Sequence, residues 1–364
     1  MANNDFLQIL SHFDLDENAV EATPFGNGHI NDTLKVVTES GVAKYVLQRI
    51  NHHIFKDVEM LQNNIRFVTE HIREKLKALN VSQIDRKVLT VIPTKDGKNY
   101  YFDGESYWRV FLLIPDSQSL EAINPELSYE AGKAFGHFQS MLADIPEGTL
   151  GEIIPNFHNM EFRLQQFQEA KKLNAAGRLD SVKDIVEEIE KRAKAMCIQE
   201  DLFREGKLRK RINHCDTKVN NILFDTRTNE VLCVIDLDTV MPGFVLSDIG
   251  DFIRTGANTG AEDDMDLDRV GVNIDIFKAY TRGYMETAKS FLTPLEISLL
   301  PYGGRLLTYM QTVRFFLDYL NGDTYYKIHY PEHNLQRTKA QFKLLLSLEE
   351  HAAEMDDFMK EWLF

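Results

Sequence analysis

The chain has 364 residues, 43% of them hydrophobic, with a formal net charge of −15 at pH 7. That length suits about two domains, or one domain with two lobes, around a sizeable core. So acidic a surface repels phosphate backbones and anionic lipid, which argues against nucleic acid or a membrane as a general partner.

In chain order, Met1 to Leu10 lacks the basic region and apolar stretch of a signal peptide. Thr33–Val37 reads as a strand, followed by a turn at Glu39-Ser40-Gly41 and a second strand at Tyr45–Arg49. Ile65, Val68, Ile72, Leu76 and Leu79 step by three or four residues, the period of a helix. Val88–Ile92, Asn99–Phe102 and Trp108–Ile114 predict three further strands, separated by turns at Lys95-Asp96-Gly97 and Asp103-Gly104. Ile114-Pro115-Asp116-Ser117 reads as a linker. From about residue 125 the pattern is mainly helical, with a clear stripe at Leu306, Met310, Val313, Leu317 and Leu320 that ends at Asn321-Gly322. A β-hairpin at 222–236 interrupts this half. The expectation is an α+β chain, with a small β-rich lobe over 1–114 and a larger, mainly helical lobe over 115–364. Cys197, Cys215 and Cys233 are odd in number and lack metal-ligand spacing, the usage of a reduced, cytoplasmic protein. Apolar runs such as Val110–Ile114 are too short to span a bilayer. Oligomeric state is not legible.

The most informative stretch is Asn213-His214-Cys215-Asp216-Thr217-Lys218-Val219-Asn220-Asn221, just before an apolar strand. A second, Ile235-Asp236-Leu237-Asp238, closes the hairpin that follows. Phosphoryl transfer gives the pattern a reason. A carboxylate must accept the proton of an attacking hydroxyl, and oxygen ligands must hold the Mg²⁺ that neutralises nucleotide phosphates. Asp216 suits the first task, and Asn221 and Asp236, at the two ends of one hairpin, suit the second. Lys218 is placed to stabilise charge on the transferred phosphoryl group. A lone Asp before a strand is usually a turn former, but the whole set is much harder to obtain by accident. Asp238 is either a second metal ligand or a local hydrogen-bond acceptor.

The run His214-x-Asp216-x-x-x-x-Asn221 followed by Ile235-Asp236 resembles the catalytic and metal-binding pair of the aminoglycoside phosphotransferase and choline kinase-like superfamily, which implies a protein-kinase-like two-lobed fold with ATP as co-substrate. Narrower motifs resemble the bacterial N-acetylhexosamine 1-kinases. They are Gly26-Asn27-Gly28-His29-Ile30-Asn31, Tyr45–Asn51, the Asp216 loop, Ile235–Gly243, Arg314–Tyr325 and Tyr330–Leu335, so the resemblance covers nearly the whole chain. It implies transfer of the ATP γ-phosphate to the 1-hydroxyl of N-acetylglucosamine or N-acetylgalactosamine. Asp216 would take the anomeric proton, and His29, Arg314 and Tyr325 would contact the sugar. Thr255 stands where a sugar-facing aromatic is expected, which leaves the choice of hexosamine open. Asp248-Ile249-Gly250-Asp251 resembles the segment that braces the catalytic loop, though a helix cap is the plain reading of Asp248.

Gly26-x-Gly28 lets backbone approach phosphate, or is simply a turn. Arg49 on the second strand is the candidate phosphate-gripping cation, with Glu59 or Glu70 as its support, and its bland reading is an edge arginine in solvent. Backbone near Leu112 would face adenine. Without the resemblance, Arg314 is an exposed arginine beside an apolar stripe. The acidic stretch Glu262–Asp268, most simply a solvated loop, also keeps a cationic acceptor such as an aminoglycoside in play. Kinases for choline, homoserine or another sugar, and a non-catalytic nucleotide-binding pseudokinase, are the alternatives.

Overall fold

The computed structural model describes residues 3–26, 30–120 and 123–363. In chain order these form α1 (Asn3–Leu10), β1 (Ala19–Pro24), β2 (Asp32–Thr38), β3 (Ala43–Ile50), α2 (Val58–Ala78), β4 (Val91–Ile92), β5 (Tyr101–Phe102), β6 (Tyr107–Leu112) and β7 (Ser117–Ser119). Next come α3 (Pro125–Leu142), α4 (Met160–Leu173), α5 (Lys183–Arg192), α6 (Ile198–Arg204), the short strand β8 (Arg211–Asn213), a ribbon of β9 (Ile222–Asp225) and β10 (Val231–Val234), and β11 (Met241–Gly243). The chain closes with α7 (Val245–Gly256), α8 (Ile274–Ala288), α9 (Pro294–Leu320), α10 (His333–Glu350) and α11 (Ala352–Met359). Among the described residues no helix is long and apolar enough to cross a membrane.

The chain divides into two compact units. The first comprises Met1–Glu121, Met141–Ile154 and Asn220–Met241. Its antiparallel sheet runs β1-β2-β3-β6-β4, with β5 also on β6. Alternation along the strands sends Leu34 and Val36, Tyr45 and Leu47, and Trp108 and Val110 to one face, where Ile9 and Leu10 of α1 and Phe13 complete a core. The opposite face carries Thr33, Gln48 and Arg109. The expected two-strand opening gains β1, which the sequence hides because its side chains are largely exposed: Val20 and Glu21 face solvent, and Ala22 alone in the strand is buried.

The expected boundary at 114/115 differs from the structural division. Ser117, read as the last residue of a linker over 114–117, opens strand β7, which pairs with β9, with Ser117 opposite Asp225. Arg86 Nη2 donates to Asp225 Oδ2 at 2.9 Å and to Pro115 O at 3.1 Å, and Lys87 Nζ donates to Val231 O at 3.0 Å. These bonds carry the 222–236 ribbon into the first unit. Asn64 of α2 does the same for the segment at 141–154: its Nδ2 donates to Gly151 O at 2.9 Å, and its Oδ1 accepts from Gly151 N.

The second unit comprises Ala122–Ser140, Pro155–Val219 and Pro242–Phe364. Its axis is α9, started by a capping box in which Thr293 and Glu296 exchange side-chain and backbone bonds. α7 packs on α9 at backbone distance. A Cβ on Gly250 would lie 2.3 Å from Gly303 O, so only glycine permits this approach. Glu296 is also bound by Arg211 of β8, Nε to Oε1 and Nη2 to Oε2, both at 2.8 Å.

Burial pushes the Glu296 carboxyl up, but the bonds from Arg211 and Thr293 outweigh it and hold the group below the usual glutamate range. A depressed carboxylate contributes stability that is complete above the unfolded-state value and lost as pH falls through the folded-state value. Glu296→Gln leaves Arg211 buried without its counter-charge, and urea denaturation at neutral pH should show a loss of about 3–5 kcal/mol. The variant should also show a flatter stability profile below about pH 4 than the parent.

Candidate active site

In the second unit, the loop after β8 is built around one buried carboxylate. Asp248, in the first turn of α7 and fully buried, accepts His214 N at 2.9 Å, Cys215 N at 2.7 Å and Gln139 Nε2 at 2.7 Å. Burial pushes its carboxyl up against those bonds. Asn213 Oδ1 shares the same Gln139 amide at 2.8 Å, and Thr217 Oγ1 donates to Asp248 O. The loop is thus pinned on both sides of Asp216. His214, buried between the edges of Phe135 and Phe138, accepts Asp216 N at 3.3 Å. Cys215 takes φ +64, a left-handed backbone that a non-glycine residue keeps only when its surroundings enforce it. Asp216 is left with its side chain 26% exposed and its Oδ1 3.1 Å from Lys218 Nζ. Asp216 raises the Lys218 ammonium above the ordinary lysine value. The bracing expected of Asp248 is visible atom by atom, and it is more than a helix cap.

In the first unit, the β9–β10 ribbon brings its two ends into register. Ile222 opposes Val234, and Asn221 O accepts Ile235 N at 2.9 Å. Asn221 and Asp236 therefore flank the open end of one ribbon. Asp236 is itself left-handed, φ +59. Two hard oxygen side chains suit Mg²⁺, which keeps water or phosphate in its remaining positions; no sulfur or imidazole is needed. Among the described residues no cluster of three or more His, Cys, Asp or Glu offers a metal cage. Asp238 is engaged by distant parts of the chain within this unit: its Oδ2 accepts Asn31 Nδ2 at 2.5 Å and its Oδ1 accepts Arg109 Nη1.

The Arg49 guanidinium is paired with Asp32 across β2 and β3 at the surface, 46% and 62% exposed. Glu70, weighed as its support, binds Arg66 instead at 2.7 Å. Arg109, which sequence reasoning missed, is buried in this unit. Its signal was present: in Trp108-Arg109-Val110 the flanking residues are apolar, so alternation alone puts Arg109 on the face opposite them.

A second cluster in the second unit surrounds Arg314 of α9. Its guanidinium lies over Phe157 and Tyr326, 5.5 and 5.8 Å from the ring centroids, and donates to Gln311 Oε1 at 3.0 Å. Arg163 of α4 is bound to Gln166 Oε1 and Phe157 O, and has no carboxylate partner among the described residues. Burial, and then the Arg314 charge, pull Arg163 down to about 10. Burial likewise pushes the His158 imidazole down to about 3, so it is neutral. Arg163 Nε, His158 Nδ1 and Asp251 Oδ2 are all buried without a hydrogen-bond partner among the described residues. Asp251 Oδ1 is held by Arg254, Nη2 at 2.8 Å.

Tyr325 follows in a loop gathered by Asp318, whose carboxylate accepts the backbone N–H of Thr324, Tyr325 and Tyr326, each at 2.9 Å. The Tyr325 ring is 66% exposed and meets Tyr326 edge-on. Thr255 turns its hydroxyl back to Asp251 O at 2.8 Å, a bond internal to α7. Gly26 has φ +76 with open space around its α-carbon; Gly28 and His29 lie outside the described residues. Leu112 is at the end of β6, opposite Tyr45, with its N–H bound to Thr90 O at 2.9 Å. The acidic stretch is largely spent on the protein itself. Glu262 pairs with Arg254, Asp263 with His333, and Asp264 accepts the backbone N–H of Ala261 and Asp266.

The sequence model of APH, the phosphotransferase enzyme family, matches residues 21–280. Solved structures share the fold. An aminoglycoside phosphotransferase from Alicyclobacillus acidocaldarius superposes with a TM-score of 0.63 at 11% identity, covering 97% of this chain and 96% of that one. Spectinomycin phosphotransferase APH(9)-Ia, in complex with ADP and spectinomycin, gives 0.59 at 12% identity, with 96% and 99% covered. Plasmodium vivax ethanolamine kinase gives 0.54 at 15% identity, with 90% and 83% covered. At such identities the likeness is one of fold, and it agrees with the expected α+β, protein-kinase-like class.

Asp248→Ala removes the acceptor of two loop amides and of Gln139 at once. Each buried donor left unpaired costs about 1–3 kcal/mol, so urea denaturation should show a loss of at least about 2 kcal/mol. A change within ~0.5 kcal/mol, the usual range for an unengaged surface position, would contradict the bracing role.

Proposed function

The chain belongs to the phosphotransferase enzyme family, and on that premise we propose that it is an ATP- and Mg²⁺-dependent kinase of the anomeric 1-hydroxyl of an N-acetylhexosamine, N-acetylglucosamine or N-acetylgalactosamine. The observation that carries the acceptor class is the wall around Arg314. Two guanidiniums without carboxylate partners among the described residues, Arg163 and Arg314, stand with Phe157 and Tyr326 beside buried polar atoms that lack partners among those residues. Such a surface suits a neutral ring bearing hydroxyls and an amide carbonyl. It repels a polycationic aminoglycoside or a quaternary ammonium, and several carboxylates of the acidic stretch that would have favoured them are engaged by Arg254, His333 and local backbone.

In this reading Asp216 accepts the proton of the attacking hydroxyl, with its position fixed by Asp248. Lys218 lies beside the transferred phosphoryl group. Asn221 and Asp236 would hold Mg²⁺, which when bound neutralises charge on the nucleotide phosphates. Gly26, Gly28 and Leu112 are assigned to the nucleotide side, whereas Arg49 is engaged by Asp32 at the surface. His29, Thr255, Arg314 and Tyr325 are assigned to the sugar, with Arg314 forking onto its hydroxyls.

Steady-state assays over a panel of acceptors test the reading. The expected outcome is ATP-dependent turnover with N-acetylglucosamine or N-acetylgalactosamine, and none with kanamycin, choline or ethanolamine. Phosphorylation of one of the latter, without the hexosamines, overturns it. Asp216→Asn should lower kcat at least about 10²-fold while ATP binding, measured by calorimetry, persists. Arg314→Ala should lower kcat/KM for the sugar by roughly 10–100-fold, the worth of one charge-assisted hydrogen bond, with KM for ATP unchanged.

A further inference from the structure

Gln48 and Arg109 stand directly opposite each other across β3 and β6. Their neighbours Leu47, Trp108 and Val110 belong to the core on the α1 side, so both project from the other face. Arg109 is 2% exposed. Its Nε donates to Gln48 Oε1 at 2.9 Å, its Nη1 to Asp238 Oδ1, and its guanidinium lies 5.1 Å from the Phe111 ring centroid. Asp238 Oδ2 accepts from Asn31 Nδ2, and Asn31 Oδ1 accepts Asn51 N at 2.9 Å. One buried ion pair therefore ties β3, β6 and the segment entering β2 to a residue two places beyond Asp236.

As a mere core ion pair this arrangement is poorly motivated. A buried pair is often no more stabilising than apolar side chains of the same volume. Its placement gives it another role. Asp236 holds a left-handed backbone that its surroundings must enforce, and the short helical turn Leu237–Thr239 that follows is anchored through Asp238. Protein kinases place a lysine on the third strand of the corresponding sheet. Here β3 has Gln48 on that face, while Lys44 and Arg49 are committed to Asp16, Glu17 and Asp32. We propose that Arg109 is the positioning residue of the metal loop: from β6 it supplies the buried cation that β3 lacks, and by fixing Asp238 it presents Asp236 to the divalent ion.

The inference rests on the metal role given above to Asn221 and Asp236, and the two fail differently. Mn²⁺ binding to the full chain in the presence of ADP, followed by electron paramagnetic resonance, reads metal uptake without turnover. The wild type should take up Mn²⁺; if it does not, the metal role itself falls. Given uptake, Arg109→Met should weaken Mn²⁺ binding about 10–100-fold, the usual effect of losing a support behind a metal ligand. The swap Gln48→Lys with Arg109→Gln returns a cation to β3 and should recover most of the affinity. Wild-type Mn²⁺ affinity in Arg109→Met, with only the melting temperature lowered, shows a structural pair and overturns the proposal. Where Arg109→Met does not fold, the swap decides: a folded swap without Mn²⁺ uptake overturns the proposal, and uptake supports it.

Discussion

The site in the second unit depends on one buried carboxylate. Asp248 is shut away from water, where an unpaired charge is untenable, and it is satisfied by consecutive amides of the loop that carries Asp216. Consecutive N–H groups converge on one carboxylate only if the chain turns sharply between them, and Cys215 in the left-handed region is that turn. The same helix must approach closely enough to deliver the carboxylate, which the facing glycines Gly250 and Gly303 allow. One turn further on, Asp251 carries the order outward through Arg254 to Glu262. A single helix thereby anchors the loop of the candidate base and one side of the candidate acceptor wall.

The charge distribution follows from a chain with net charge −15. Most of its basic side chains are matched on the surface by neighbouring acids, where pairs contribute little. Others are buried or stand without an acid. Arg109, Arg211 and Arg254 are buried against Asp238, Glu296 and Asp251, and among the described residues Arg163 and Arg314 have no carboxylate partner. A cluster of two cations paired with neutral groups and no counter-charge is expensive in an isolated protein and reasonable in one that receives an electron-rich ligand.

Much of this was legible in the sequence. Alternation in Thr33–Val37 and Tyr45–Arg49, and the helical stripe from Ile65 to Leu79, correspond to β2, β3 and α2, because each buries one face and exposes the other. The Asp216 loop and the 222–236 ribbon were visible because turn chemistry and apolar runs recur at fixed spacing. What escaped was non-local. Ser117–Ser119 has no pattern of its own and becomes a strand only because β9 lies beside it. Arg49 drew notice through its motif, whereas Arg109 looked like an ordinary strand residue until its partner, 129 positions away, was in view. The acidic run at 262–268 read as a solvated loop that kept a cationic acceptor in play, yet most of its carboxylates are engaged by Arg254, His333 and local backbone, and spacing alone cannot reveal such partners.

The account turns on which oxygen receives the phosphoryl group. Incubating the protein with ¹³C-labelled N-acetylglucosamine, ATP and Mg²⁺ and recording ¹³C and ³¹P spectra locates it directly. Phosphorus coupling at the C1 resonance is the predicted result. A product with phosphorus coupling at C6 and an untouched anomeric centre would contradict the account.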